Sequence, residues 1–227
     1  MKSQYQISEA SDLTLTSVDS DMSVQKAIIA LQSDDVIAAS TDTVMGLLVS
    51  IKSPKAIEKL ISLKGRSPDK PFLILISSLD QIIEMIDFNE KVDCFTRNIW
   101  PGPVTVVFHL KHNQKLIENF LPYCAVSHEN TVACRLPGNQ WLQRVIRHTG
   151  PLLAPSANPA GKPVAKNIAE VRDYFNDSLP LIIEEAGTNS DKAPSSIVSI
   201  SDNQLEVIRE GSVNSGKLEA IFEKCKK

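Results

Sequence analysis

Apolar residues in this chain recur at two alternating spacings, one helical and one extended. From Asp21 onward Val24, Ala27, Ile28 and Leu31 lie three and four residues apart, predicting a helix capped by Asp21 or Ser23. Val36 to Ala39 reads as a strand, followed by the polar turn Ser40, Thr41, Asp42, Thr43 and a second apolar run from Gly46 to Ile51. Ser53 and Pro54 signal the next helix, because proline is tolerated where the first helical N–H needs no partner; Ile57, Leu60, Ile61 and Lys64 continue it. Phe72 to Ile76 is continuously apolar, as expected of a strand covered on both faces. Helical segments near 79–86 and 90–99 lead to the turn Trp100, Pro101, Gly102, Pro103, and then Val104 to Leu110 and Thr131 to Leu136 read as strands. Asn139 caps a helix with Trp141, Leu142, Val145 and Ile146 on its buried face, and Leu152 to Ala154 is a short strand. A helix from Asn167 to Phe175, strands at Leu181–Ile183, Ile197–Ile200 and Leu205–Ile208, and a last helix capped by Ser215 complete the pattern.

Strands and helices thus alternate, which predicts an α/β sheet with helices packed on it. The connection between Ile200 and Leu205 is too short for a parallel crossover and holds Asp202 and Asn203, so the sheet is expected to be mixed. Residues 1–20, rich in Ser, Asp and Thr, read as a loosely held extension in which Leu13, Leu15 and Val18 form at most a short edge strand. Residues 21–227 then make up one domain.

Composition narrows the picture. With 227 residues, 42% of them hydrophobic, the chain can bury a substantial core. Its net charge of −3 provides no global positive field, so direct nucleic-acid binding is expected to be weak or absent and no membrane surface is implied. Cys94, Cys124, Cys134 and Cys225 form no C-x-x-C pair and lie near no histidine at ligand spacing, so they read as reduced thiols, with neither zinc nor a disulfide framework. An N-terminus without an apolar leader pattern gives the expectation of a cytoplasmic protein.

Positive charge is nevertheless concentrated. Lys52, Lys55, Lys59, Lys64, Arg66 and Lys70 face only Glu58 and Asp69 between positions 52 and 70. Lys64, Gly65, Arg66 and Lys70 gather at a helix end, and Ser156, Ala157, Asn158 follow a buried strand. Cations disperse and neutralise phosphate charge, while Ser and Asn orient a ribose or an α-phosphate without adding any. A solvated helix end, where the dipole also favours cations, is the plainer reading of Lys64, Arg66 and Lys70 taken alone. Trp100 and its prolines read as a rigid turn in the core, and Glu184, Glu185 and Asp191 as a solvated loop rather than a metal site.

In order along the chain stand Ser40-Thr41-Asp42-Thr43-Val44-Met45-Gly46-Leu47, Lys64-Gly65-Arg66 with Lys70-Pro71, and Trp100-Pro101-Gly102-Pro103-Val104-Thr105. Arg135-Leu136-Pro137, Pro155-Ser156-Ala157-Asn158 with Gly161, Pro194-Ser195-Ser196-Ile197 and Ile208-Arg209-Glu210-Gly211 follow. This series, from about Asp21 to Val213, resembles the YrdC/Sua5 family, the threonylcarbamoyl-AMP synthases of tRNA t6A37 modification. The resemblance implies a single-domain, YrdC/RibB-like mixed sheet flanked by helices, with an open central cleft. It implies L-threonine, bicarbonate or CO2, and ATP with Mg2+ as reactants, and a product passed to a tRNA threonylcarbamoyl transferase complex. Carried over by position, Lys64 and Arg66 would be catalytic cations at the phosphates and carbamate. Lys70, Ser156, Asn158, Ser196 and Arg209 would hold ATP, and Thr41, Thr43 and Arg135 the amino acid. Met45, Ser40, Ser67 and Ala160 stand where the family usually has Tyr, Pro, Pro and Ser. The same resemblance leaves a YciO-like module, binding nucleotide or RNA without synthase activity, as the alternative. The related hydrogenase-maturation proteins carry zinc-finger and acylphosphatase modules that this sequence lacks.

Overall fold

The structure is a computed structural model that describes residues 4–9, 12–65, 71–111, 118, 121–122, 125–127, 129–185, 192–201 and 203–225. In chain order these form β1 (Gln4–Glu9), β2 (Asp12–Asp19), α1 (Ser20–Gln32), β3 (Ile37–Ala39), β4 (Gly46–Ser50), α2 (Pro54–Lys64) and β5 (Ile74–Leu75). Then come α3 (Glu90–Ile99), β6 (Val104–His109), β7 (Thr131–Arg135), α4 (Gln140–Thr149), β8 (Leu152–Leu153) and α5 (Ile168–Phe175). The chain ends with β9 (Leu181–Glu185), β10 (Ser196–Ser201), β11 (Gln204–Arg209) and α6 (Ser215–Lys224). The strands build one mixed sheet in the order β11-β10-β6-β7-β5-β8-β4-β3-β9-β1-β2. Among the described residues, β3 with β9, β5 with β7, and β6 with β10 run parallel, and the other pairs antiparallel.

The continuous apolar runs have a simple cause. Successive strand residues point to opposite faces, and both faces are covered. Leu47 and Val49 of β4, Ile74 of β5 and Leu153 of β8 enter one core with α2, α3, α5 and α6. Leu48, Leu75 and Leu152 enter the other, against Val24, Ala27 and Leu31 of α1 and the Trp141 face of α4. Asn139 caps α4 as expected, accepting the Leu142 N–H at 2.8 Å.

Several expectations need correction. The N-terminal segment is no loose extension: β1 pairs antiparallel with β9, buries Tyr5 and Ile7, and carries β2 as the edge strand. The segment 79–86 forms only a 3-10 turn at Leu79–Gln81, because the backbone at 85–87 is diverted to β6; Asp87 N–H donates to His109 O and Lys111 N–H to Met85 O. Asn214 rather than Ser215 caps the last helix. Cys94 and Cys225 are joined in a disulfide that staples α3 to the end of α6, a pairing across 131 positions that local spacing does not disclose. Cys134 is a free, buried thiol whose pKa burial pushes up, in keeping with a packing role. Trp100 belongs to the core, with Nε1 donating to Val104 O. Among the described residues no helix is long and apolar enough to cross a membrane, and no group of three or more His, Cys, Asp or Glu is placed to hold a metal. Asp191 lies outside the described residues.

Candidate active site

The central strands β3, β5 and β8 are two or three residues long, so the chain leaves the sheet early on both sides of its middle. The loops released there enclose a cavity of about 380 Å³. Three walls build it.

The first comes from the turn between β3 and β4 and from the end of β7. Thr41 Oγ1 donates to Val44 O at 2.7 Å and accepts the Thr43 N–H at 3.0 Å, a side-chain turn that sets the loop. The Thr43 hydroxyl is then left to donate to Thr41 Oγ1, 3.0 Å away, and to accept from Arg135 Nη1 at 2.8 Å. Arg135 is only 3% exposed, and Ile76 N–H donates to its carbonyl, which keys β7 to β5. Its guanidinium lies 3.5 Å from Asp42 Oδ1, and its Nε has no partner. Burial lowers the Arg135 pKa, Asp42 opposes that shift, and Arg209 adds to it.

Lys64 and the loop after β8 form the second wall. Gly65 ends α2 in the left-handed conformation at φ 56°, which glycine adopts without strain, so Lys64 occupies the last helical position. Lys64 is 3% exposed and lines the cavity. Its ammonium donates to Ser156 O at 2.7 Å, Asn158 O at 2.5 Å and Asn158 Oδ1 at 3.1 Å. Ser156 Oγ donates to the same Asn158 Oδ1, and Asn158 Nδ2 to Lys162 O. Lys64 and Asn158, about ninety residues apart, are thus in direct contact. Lys64 lines the cavity, and Asn158 stands behind it, outside the residues that line the wall. Ser156 does face the cavity.

The third wall joins β6, β10 and β11. Thr105 Oγ1 and Ser195 Oγ are 2.9 Å apart, and Arg209 donates to Ser195 O from Nε and Nη2. Partial burial lowers the Arg209 pKa. A Cβ on Gly211 would lie 2.3 Å from Pro194 O, so only glycine lets these two chains approach. Ser196, expected at the nucleotide, is completely buried: its Oγ donates to Val213 O and accepts the Gly211 and Val213 N–H groups. Its neighbour Ser195 faces the cavity instead. Strand parity carried the signal, since Ser196 shares a face with the core residues Val198 and Ile200. Thr105, a lone hydroxyl in an apolar strand, was a second overlooked signal. Arg66 and Lys70 lie outside the described residues.

Lys64, Arg135 and Arg209 therefore converge on one cavity, and none of the described residues lining it is acidic, in a chain whose net charge is negative. Hydroxyls supply the remaining side-chain polarity, and among the described residues no cysteine, histidine or carboxylate lines the cavity as a nucleophile or base. Such a site gathers anions and offsets their repulsion.

Fold and cavity together define a mixed α/β protein with a cavity lined by three cations among its described residues. The chain belongs to the Sua5/YciO/YrdC family, whose model, described as telomere recombination, matches residues 29–211. It is 27% identical over 213 residues to the threonylcarbamoyl-AMP synthase of Bacillus subtilis, covering 93% of this chain and 60% of that protein. With the synthase of Photobacterium profundum it shares 32% identity over 165 residues, 71% of this chain and 85% of the relative. The fold is that of Sua5 from P. abyssi, solved with L-threonine, at a TM-score of 0.76 and 24% identity, covering 87% of this chain and 56% of that one. The chain thus spans about six-tenths of the B. subtilis and P. abyssi proteins it matches.

Proposed function

We propose that this chain carries the catalytic site of an L-threonylcarbamoyladenylate synthase. The observation that carries the reading is the cavity in which Lys64, Arg135 and Arg209 meet beside the Ser156 and Ser195 hydroxyls, with no acid among the described residues that line it. In this reading the threonine amine adds to CO2, or to bicarbonate with loss of water, and gives up a proton to form a carbamate. A carbamate oxygen then attacks the α-phosphorus of ATP, the bond to the β-phosphate oxygen breaks, and pyrophosphate leaves. Two anions must be held together for this step, so fixed cations serve better than a covalent nucleophile. Arg135, a cation on the cavity wall, suits the amino-acid carboxylate. Arg209 and the Thr105–Ser195 pair suit the nucleotide, with Arg66 and Lys70 assigned to the phosphates from the family pattern. Lys64 contributes its charge and shapes the Ser156 loop.

Mg2+ enters with the triphosphate as part of the substrate. The neutral oxygens of Ser156 and Ser195 fit that role, since Mg2+ carried on phosphates needs few protein ligands. The product is assigned to a tRNA-modifying transferase, the chain acting in the cytoplasm without strong affinity of its own for tRNA. The test is pyrophosphate release from MgATP, with and without L-threonine and bicarbonate. Release that requires both is expected. ATP binding without threonine-dependent release would return the chain to the YciO-like alternative.

A further inference from the structure

Asp42 does not line the substrate cavity, yet one of its oxygens lies 3.5 Å from Arg135 Nη2. It borders a neighbouring cavity of about 450 Å³, together with Gly138, Asn139 and Lys192. Its carboxylate is divided between two tasks. Oδ2 accepts the Gly138 N–H at 2.9 Å, tying the loop after β7 to the turn after β3. Oδ1 is buried, accepts no hydrogen bond, and meets the guanidinium only as an ion pair.

Arg135 shows the complementary irregularity. Nη1 donates to Thr43, while the buried Nε has no acceptor. A buried donor and a buried acceptor left open within one ion pair are costly unless a later partner answers them. An acid free to move would close on the arginine fork and satisfy both. Gly138 restrains Asp42 short of that contact, so the acid keeps the cation charged and fixed in place.

We propose that Asp42 is a positioning residue for amino-acid recognition: anchored by the Gly138 amide, it holds from outside the cavity the guanidinium of Arg135, which lines it. This rests on the function proposed above and adds to it a residue that touches neither substrate. Because Arg135 is bound to the Thr43 wall and Lys64 to the Ser156 wall, loss of the Asp42 charge should fall on threonine and spare ATP.

Steady-state kinetics of pyrophosphate release, with each substrate varied in turn, test this on Asp42→Asn and Asp42→Glu. Asparagine can still accept the Gly138 N–H, so the loop tie survives and the charge alone is lost. The Asp42→Asn threonine KM is expected to rise about tenfold or more while the ATP KM stays within roughly twofold. Asp42→Glu, which keeps the charge, should recover most of the loss. An unchanged threonine KM in Asp42→Asn, or parallel rises for both substrates, overturns the proposal. If Asp42→Asn fails to fold, Asp42→Ser, which also removes the charge, decides, an unchanged ratio of the two KM values being the contrary result. Threonine-dependent release by the unaltered protein with no effect of Asp42→Asn removes this inference alone. An unaltered protein that releases no threonine-dependent pyrophosphate, and shows no calorimetric binding of L-threonine, removes the proposed function and this inference with it.

Discussion

Lys64 and Arg135 are both cations on the wall of one cavity, both are 3% exposed, and they are used in opposite ways. Lys64 directs its ammonium protons at Ser156 and Asn158, oxygens of the chain itself. Arg135 engages Thr43 and faces Asp42 but leaves Nε without an acceptor. A buried charge surrounded by its own acceptors is part of the architecture, whereas a buried donor left open is a place for a ligand. In the proposed function Lys64 shapes the site through the loop it holds, and Arg135 meets the amino acid.

The largest expected effect comes from breaking the Lys64 side. Lys64→Met should cost about 2–4 kcal/mol of stability, since it strands the loop oxygens that the ammonium satisfies. Urea unfolding measures this, and a change below about 0.5 kcal/mol would show that Lys64 is a ligand contact only. Arg135→Lys is next. It keeps the charge and loses the planar fork, so threonine kcat/KM should fall by about one to two orders of magnitude, with a smaller change in unfolding free energy. Equal losses for threonine and ATP would erase the distinction between the two cations. The smallest pair separates neighbours at the start of β10. Ser195→Ala is expected to impair kinetics and Ser196→Ala stability, each by about 1 kcal/mol, and the reverse assignment would place the wrong serine in the cavity.

The parts of this molecule that were legible in its sequence are those set by local rules. α2 and α4 announce themselves through Ser53 with Pro54 and through Asn139, each followed by apolar residues at helical spacing. The pairing of Lys64 with the Ser156 loop was legible only as a motif series, because nothing local links residues so far apart. β1 was hidden for the same reason: its polar composition suggests an extension, and its partner β9 lies at the opposite end of the chain. The Cys94–Cys225 staple depends equally on tertiary placement of α3 beside α6. Ser195 was within reach, since the period of two that buries Ser196 with Val198 turns its neighbour toward the cavity. Asp42 stood inside a quoted motif without a role, for its work is done on a side chain that only the fold brings near.

The most direct test is a crystal structure of the protein with L-threonine and a non-hydrolysable ATP analogue. The account predicts the threonine carboxylate within hydrogen-bonding distance of the Arg135 guanidinium, with Lys64 Nζ still bound to Ser156 O and Asn158. Threonine bound away from Arg135, or Lys64 withdrawn from the loop to a phosphate, would contradict it.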